Sequence, residues 1–451
     1  MANSSSATQQ KDANPAPVKK LARLNFNSHL NDELVEQTFG TEILREARAR
    51  LETTEFQEML NRLFQTGDVT SDTLAKKMRD PKVKSDYQTA ISKGLDAVDE
   101  PCEELINFMN HAVNIPSFFD RELIEVGAEV FLTRFNPLTF FAFGWPCAGL
   151  QGASVGIAAA AWMTNQPPEA MSLMDNIKRD AAYPRLVVRF LETFRWFTEV
   201  AQPGAGQLYS NAFEANCRVR MIHSHVRNSV KVDQANWKFT PPLGWNTDEL
   251  GTPLSAAEGS IVVTTLATAI MLAKRKLSMQ VSQREMDGLF QFTSYLNYMQ
   301  GVPEELLFDN AHDTSVYFAA YLMSMDPNCY KDAVDATYYG IQNLHLEKSL
   351  FPDSKVTQIL MSGLLQASWQ EIYGNRHQEF YKTQKPALWA KTLFRSVKIG
   401  AKGVNMASKY SPFLKRKLND SGLALWNDLF PNAEKKIKQH YKSVTNGTEL
   451  A

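Results

Sequence analysis

The stretch RVRMIHSHVRNSV, Arg218 to Val230, holds two histidines two positions apart and three arginines within ten residues, beside Met221, Ile222 and Val226. On a helix, Arg220, His223 and Arg227 share one face, because positions three, four and seven apart stack above one another. His225 lies about 200° around the helix from His223, so the two rings point apart and cannot ligate one metal from the same helix. Paired histidine ligands on a helix are spaced i, i+4. A single imidazole with an arginine one turn to each side suits haem. The iron takes an axial imidazole, and the two propionates take cations. The other reading of the same residues is a core histidine, with the arginines paired to carboxylates elsewhere in the fold.

A second group lies upstream, in YPRLVVRFLETFRWFTEV. Arg189 and Thr193 are spaced i, i+4 on an apolar helix, and Glu192 sits at i+3 from Arg189, where a helical Arg–Glu pair can form. An arginine among Val, Leu and Phe is costly unless it is partnered. The plainer reading is a helix whose basic edge, Arg185, Arg189 and Arg195, meets solvent.

The elements that must carry these residues read as helices. Helical periodicity recurs along the chain, as in LAKKMRDPKVKSDYQTAISKGLDAV and QREMDGLFQFTSYLNYMQGV, and strand signals are few. Ser282 with Glu285 reads as a capping box, and Thr252-Pro253 reads as an N-cap followed by a first-turn proline. The expected fold is all-α. Composition divides the chain into a polar, disordered tail over residues 1–30, a helical lead-in over 31–115, a central region over 116–330 with the polar groups described above, and a helical region over 331–451 that turns basic after Lys382. The mixture of Trp, Phe and Lys in that last region suits an anionic membrane surface, and equally an ordinary basic surface helix.

Bulk properties narrow the function. A net charge of −1 gives no electrostatic case for nucleic acid. Cys102, Cys147, Cys217 and Cys329 form no CxxC pair, which argues against a cysteine zinc site or a disulfide framework. The N-terminal stretch lacks the apolar core of a signal peptide, so an intracellular, cytoplasmic location is expected, with peripheral membrane contact as an addition. Residues 135–168 carry no charge and are long enough to span a bilayer, but Pro146 and several glycines interrupt them. A buried core segment is the expectation there.

Together, R-x-x-x-T at Arg189 and Thr193, R-x-x-H-x-x-V-R at Arg220, His223, Val226 and Arg227, and GVPEEL at residues 301–306 resemble the latex-clearing protein (rubber oxygenase) family. That family also includes the endoplasmic-reticulum-bound oxygenase that cleaves a prenyl chain in mycophenolic acid biosynthesis. The similarity runs over roughly residues 110–310. It implies an all-α fold with a globin-like core and extra helices at either end. It implies haem b, with His223 as the axial iron ligand and Arg220 and Arg227 holding the propionates or supporting that helix. Arg189 and Thr193 would take positions needed for haem-site integrity and activity. The implied reaction is dioxygen-dependent cleavage of a C=C bond in an isoprenoid or other apolar lipid-like substrate. One departure stands out. The family's latex-clearing members carry a lysine before the threonine, where this chain has Glu192, so a carboxylate that gives or takes a proton replaces a cation that can cap the iron. A non-catalytic haem sensor or store, and a haemless structural helical protein, are the alternatives.

Overall fold

Residues 20–144, 146–147, 192–232, 247–326, 328–329, 354–380 and 384–435 are described by a computed structural model. Among them the protein is all-α, with one isolated antiparallel bridge between Leu24 and Met325. Six short helices open the described chain: α1 (Asp32–Phe39), α2 (Thr41–Leu51), α3 (Thr54–Gln65), α4 (Val69–Lys77), α5 (Pro81–Lys93) and α6 (Glu103–Val113). Several begin at a side chain that accepts an orphan N–H, as Thr53 does from Phe56, Asp68 from Ser71 and Asp80 from Lys82. The centre is α7 (Arg121–Arg134), α8 (Asn211–Val232), α9 (Ala256–Val262), α10 (Thr264–Leu277), α11 (Gln283–Met299) and α12 (Ala311–Ser324). Three further elements follow: α13 (Lys355–Phe380), broken at Gly374, α14 (Leu388–Ser408) and α15 (Pro412–Ala424).

The tightest helix crossing is α7 on α11. A Cβ on Gly127 would overlap the carbonyl of Gly288, so only a glycine pair lets these backbones meet. Phe131 of α7 then packs on Phe292 of α11 at 6.0 Å between ring centroids and on Trp426 at 4.9 Å. Residues 192–200 are helical and join the same aromatic core. Phe194 stacks on Phe430 at 4.7 Å, and Phe197 meets Phe131 at 5.6 Å.

The capping box at Ser282 and Glu285 forms as expected. The other start is displaced. Thr252 does not cap α9. Leu254 takes a left-handed backbone (φ 49°), so the helix cannot begin until Ser255, which forms a capping box with Glu258. Glu258 also pairs with the buried Arg23 at 2.7 Å. That contact corrects the tail boundary. Residues 21–30, grouped with the polar tail, pack into the fold through Leu21, Leu24, Phe26 and Leu30. Their apolar residues alternate with Arg23 and Asn25, a short pattern that composition averaging hides.

Of the uncharged segment 135–168, residues 145 and 148–168 lie outside the described residues. The described Phe140–Gly144 form a buried π-helical turn. Among the described residues one stretch, Ala256–Leu277, is long and apolar enough to cross a membrane, and most of it is buried within the fold.

Candidate functional site

The motif helix α8 lies along α4 and is held there by a ladder of polar contacts. Arg220 donates from Nε and Nη2 to the two carboxylate oxygens of Asp68, at 2.5 and 2.9 Å. Ser224 donates to the Ser71 hydroxyl at 2.7 Å. Arg227 donates from Nε to Asp72 at 2.8 Å, from Nη2 to Ser224 at 2.8 Å and from Nη1 to the Leu254 carbonyl at 3.1 Å. Asn228 closes the ladder on the Asp72 carbonyl at 3.0 Å. Both arginines are buried. Burial alone would raise the Asp68 pKa, but the charge and hydrogen bond of Arg220, with the charge of Arg227, outweigh it and hold the carboxylate below its usual range.

Arg220 reaches further. Its Nη1 donates to His111 Nδ1 at 2.9 Å, which makes that nitrogen the acceptor and leaves the ring proton on Nε2. The His111 ring stacks on Tyr298 with centroids 4.4 Å apart, and the Tyr298 hydroxyl donates to the His111 carbonyl at 2.6 Å. Burial, then the Arg220 charge, pushes His111 down to about 4, so it is neutral at pH 7.

The GVPEEL stretch terminates α11 beside this network. Val302 N–H bonds to the Asn297 carbonyl and Gly301 N–H to that of Tyr298, the two bonds of a Schellman cap, with Gly301 left-handed at φ 80°. A Cβ at Gly301 would overlap the Asp68 carboxylate. The glycine therefore serves the helix end and the approach of Asp68 together. Glu305 pairs with Arg62 through two bonds, at 2.9 and 2.8 Å.

His223 behaves differently from its arginine neighbours. It sits at the rim of the face that Arg220 and Arg227 bury, and it keeps partial solvent contact. Its ring makes no hydrogen bond to the described residues. Burial first, then the Arg227 charge, pushes it down to about 4. The result is a neutral imidazole with uncommitted ring nitrogens. His225 points outward and is exposed. Glu192 and Thr193 are both partly exposed and are the first described residues of the helical stretch 192–200. That helix packs through Phe194 and Phe197 on the α7 side of the core, whereas His223 is carried on the α4 side. Arg189 lies outside the described residues. Cys217, also on α8, is buried and its thiol is pushed up to about 12, so it is no nucleophile at neutral pH. No group of three or more His, Cys, Asp and Glu positioned for a metal occurs among the described residues, a requirement that single-histidine haem ligation does not have.

Comparison with known families decides the class. Residues 136–399 match the family described as "ER-bound oxygenase mpaB/B'/Rubber oxygenase, catalytic domain". The chain belongs to this family. It is therefore of the oxygenase class of oxidoreductases. A solved structure, that of latex clearing protein LCP in the closed state, superposes with a TM-score of 0.54 at 15% identity, covering 83% of this chain and 90% of that one. At that identity the likeness establishes a common fold. Comparison with curated proteins gives no match.

The matched span contains Arg189, Glu192, Thr193, Arg220, His223, Arg227 and the GVPEEL stretch. It does not contain Asp68, Asp72 or His111, the groups that engage the two arginines. Sequence reading missed all three. Asp68 in TGDVTSD is visible as an N-cap, but nothing local reveals a pairing with an arginine 152 positions away.

Proposed function

We propose that this chain is a haem b-dependent oxygenase that cleaves a C=C bond in an isoprenoid or other apolar lipid-like substrate. The observation that carries the reading is the His223 imidazole: neutral, free of hydrogen bonds to the described residues, partly open, and set on a helix that two buried ion pairs hold in place. That is the state an axial nitrogen ligand requires, since only the unprotonated ring has a lone pair to give. His223 would hold the iron. When bound, haem supplies dioxygen activation for attack on the alkene, with two carbonyl products.

The arginines take the supporting role of the two open to them. Asp68 and Asp72 already engage the Arg220 and Arg227 guanidinium groups, so these side chains fix the azimuth of α8 rather than stand ready for propionates. Arg189 and Thr193 would stand in the haem surroundings, a reading supported by the motif they share with the family, with Glu192 between them as the group that would hold or move a proton at its carboxylate. The apolar walls needed to exclude water and admit a lipid-like substrate are in keeping with the aromatic core around Phe131, Phe140 and Phe194.

The test is absorption spectroscopy of the haem-supplemented protein beside its His223→Ala and His225→Ala variants. A Soret band that is lost or strongly shifted only in His223→Ala is the expected result. Equal haem content in all three proteins sinks the assignment. Oxygen uptake on adding a prenylated substrate separates an oxygenase from a haem carrier or sensor.

A further inference from the structure

Between Glu379 and Asp420 the chain has ten Lys and Arg and no Asp or Glu, in a protein whose net charge is −1. Eight of them, from Lys391 to Lys417, lie on α14, on α15 or in the turn between the two. The inner face of α14 buries Ala390, Phe394, Ala401, Asn405 and Ser408, and Asn405 donates to the Leu277 carbonyl at 2.9 Å. The outer face is not simply polar. Leu388 is 80% exposed, Ile399 72%, Met406 59% and Tyr410 82%. By the helical repeat these four fall within about 40° of one another, a single ridge along a helix about 31 Å long. Phe413, 58% exposed at the start of α15, continues the apolar surface past the turn.

Arg395, Lys402 and Lys409 recur every seven residues and so line one edge of that ridge. All three are exposed and have no acidic partner among the described residues. An inner-face lysine contrasts with them: Lys398 is tied to Glu371 at 2.8 Å. Lys415, Arg416 and Lys417 add exposed charge beyond the turn.

From this arrangement we infer that the outer face of α14 and the start of α15 form a docking surface for an anionic lipid bilayer. The occupant follows from the two kinds of group. An apolar ridge flanked by cations seats at the headgroup boundary, with aliphatic and aromatic side chains entering the acyl layer and lysines meeting lipid phosphates. A second copy of the same face would bring like-charged rows together. Nucleic acid would meet the ridge of Leu388, Ile399 and Met406 where it needs cations. The inference does not depend on the haem reading.

The experiment is flotation of the full chain with vesicles of phosphatidylcholine, with and without phosphatidylserine. Two exposed-face variants accompany it, Arg395→Gln/Lys402→Gln/Lys409→Gln and Ile399→Ser/Met406→Ser, each checked for folding by circular dichroism. The wild type should bind the anionic vesicles and be released by salt. Removing three cations should weaken binding on the order of 100-fold, and removing the two apolar groups at least about tenfold. Equal binding to both vesicle types, binding to neither, or indifference to both variants overturns the inference. So does a solution dimer that dissociates in Ile399→Ser/Met406→Ser, which gives the face to a second copy. Capture of polyglutamate without binding to anionic vesicles gives it to an acidic protein and equally overturns the inference.

Discussion

Asp68→Asn removes the charge of the α4–α8 clamp while keeping the size and the capping oxygen of Asp68. Asparagine is as good an N-cap as aspartate, so the Ser71 N–H keeps its acceptor, and side-chain size is preserved. What disappears is the negative charge opposite Arg220, whose side chain is almost completely buried, together with one acceptor oxygen, because the amide NH2 that replaces Oδ2 is a donor facing the Arg220 Nε–H. Removing one partner of a buried pair typically costs about 3–5 kcal/mol, because the survivor is left charged in a poor solvent. Here the amide oxygen and the ring of His111 still accept from Arg220 Nη2 and Nη1, but the amide NH2 opposes the Nε–H, which keeps the expectation within that range, about 3–5 kcal/mol. The exposed pair Arg218–Glu214, on the same helix, is the control, and Glu214→Gln should cost no more than about 1 kcal/mol. Urea denaturation followed by circular dichroism measures both. A cycle with Arg220→Met should return a coupling of about 2 kcal/mol or more, since the double variant no longer buries an unpaired charge. The pH dependence gives a separate check. The Asp68 pKa is lowered in the fold, so its contribution is complete above about pH 3.9, the usual carboxylate value, and is lost as the pH falls through the lower folded value. Asp68→Asn should therefore flatten the acid limb below about pH 4. A cost within about 1 kcal/mol, or single effects that simply add, would refute the clamp.

His111 and His223 both titrate at about 4 in the fold, so stability is complete above about pH 6.5 and falls as the pH drops from there towards 4. Each ring contributes at most roughly 3 kcal/mol, less for residual solvent contact, and equal urea midpoints at pH 7.5 and 5 would contradict this. Gly301→Ala meets both a left-handed backbone and the Asp68 carboxylate, and should cost about 1–3 kcal/mol. Gly400→Ala, in open space within α14, should leave the thermal midpoint unchanged or raise it. Glu192→Gln should lower turnover by about 10²-fold or more with the haem spectrum intact if the carboxylate relays a proton. Parallel loss of haem or thermal stability would instead make it a structural partner of Arg189, and unchanged turnover would remove it from the reaction.

What could be read in the sequence was local or periodic. The helical pattern gave the fold class, because 3.6-residue periodicity survives whatever the tertiary partners are. Ser282 with Glu285 was legible because a capping box closes within one turn. The α9 start was not, since Thr252-Pro253 has the right chemistry and only the left-handed Leu254 between them and the helix defers it to Ser255. In the candidate site, the common face of Arg220, His223 and Arg227 was visible, and the opposite sense of His225 with it. The division of that face was not. Two arginines turn inward and the histidine stays at the rim because Asp68 and Asp72 stand about 150 residues earlier, and such pairings leave no mark in spacing. The basic stretch after Lys382 was legible as composition. That its apolar residues form the outer ridge, while small residues and Phe394 face the core, needed the fold.

The clamp also bears on why charged groups occupy this contact at all. A buried arginine–aspartate pair is seldom more stabilising than an apolar pair of the same volume, because desolvation cancels most of the attraction. Two such pairs in one helix–helix seam therefore call for a reason other than stability. An apolar seam between α4 and α8 would tolerate a slide or a small rotation, whereas Arg220 on Asp68 and Arg227 on Asp72 together admit one register. His223 lies between the arginines along α8, so the register that seats them also sets the direction of its ring. The hypothesis is that the lead-in helix, outside the span matched by the family, orients the ligand helix. Replacing Asp72 and Arg227 together by leucine and methionine tests it. Stability should hold within about 2 kcal/mol, while the haem spectrum of the supplemented protein broadens or shifts as His223 loses its fixed direction. An unaltered spectrum in a folded double variant would show that this pair does not orient the imidazole.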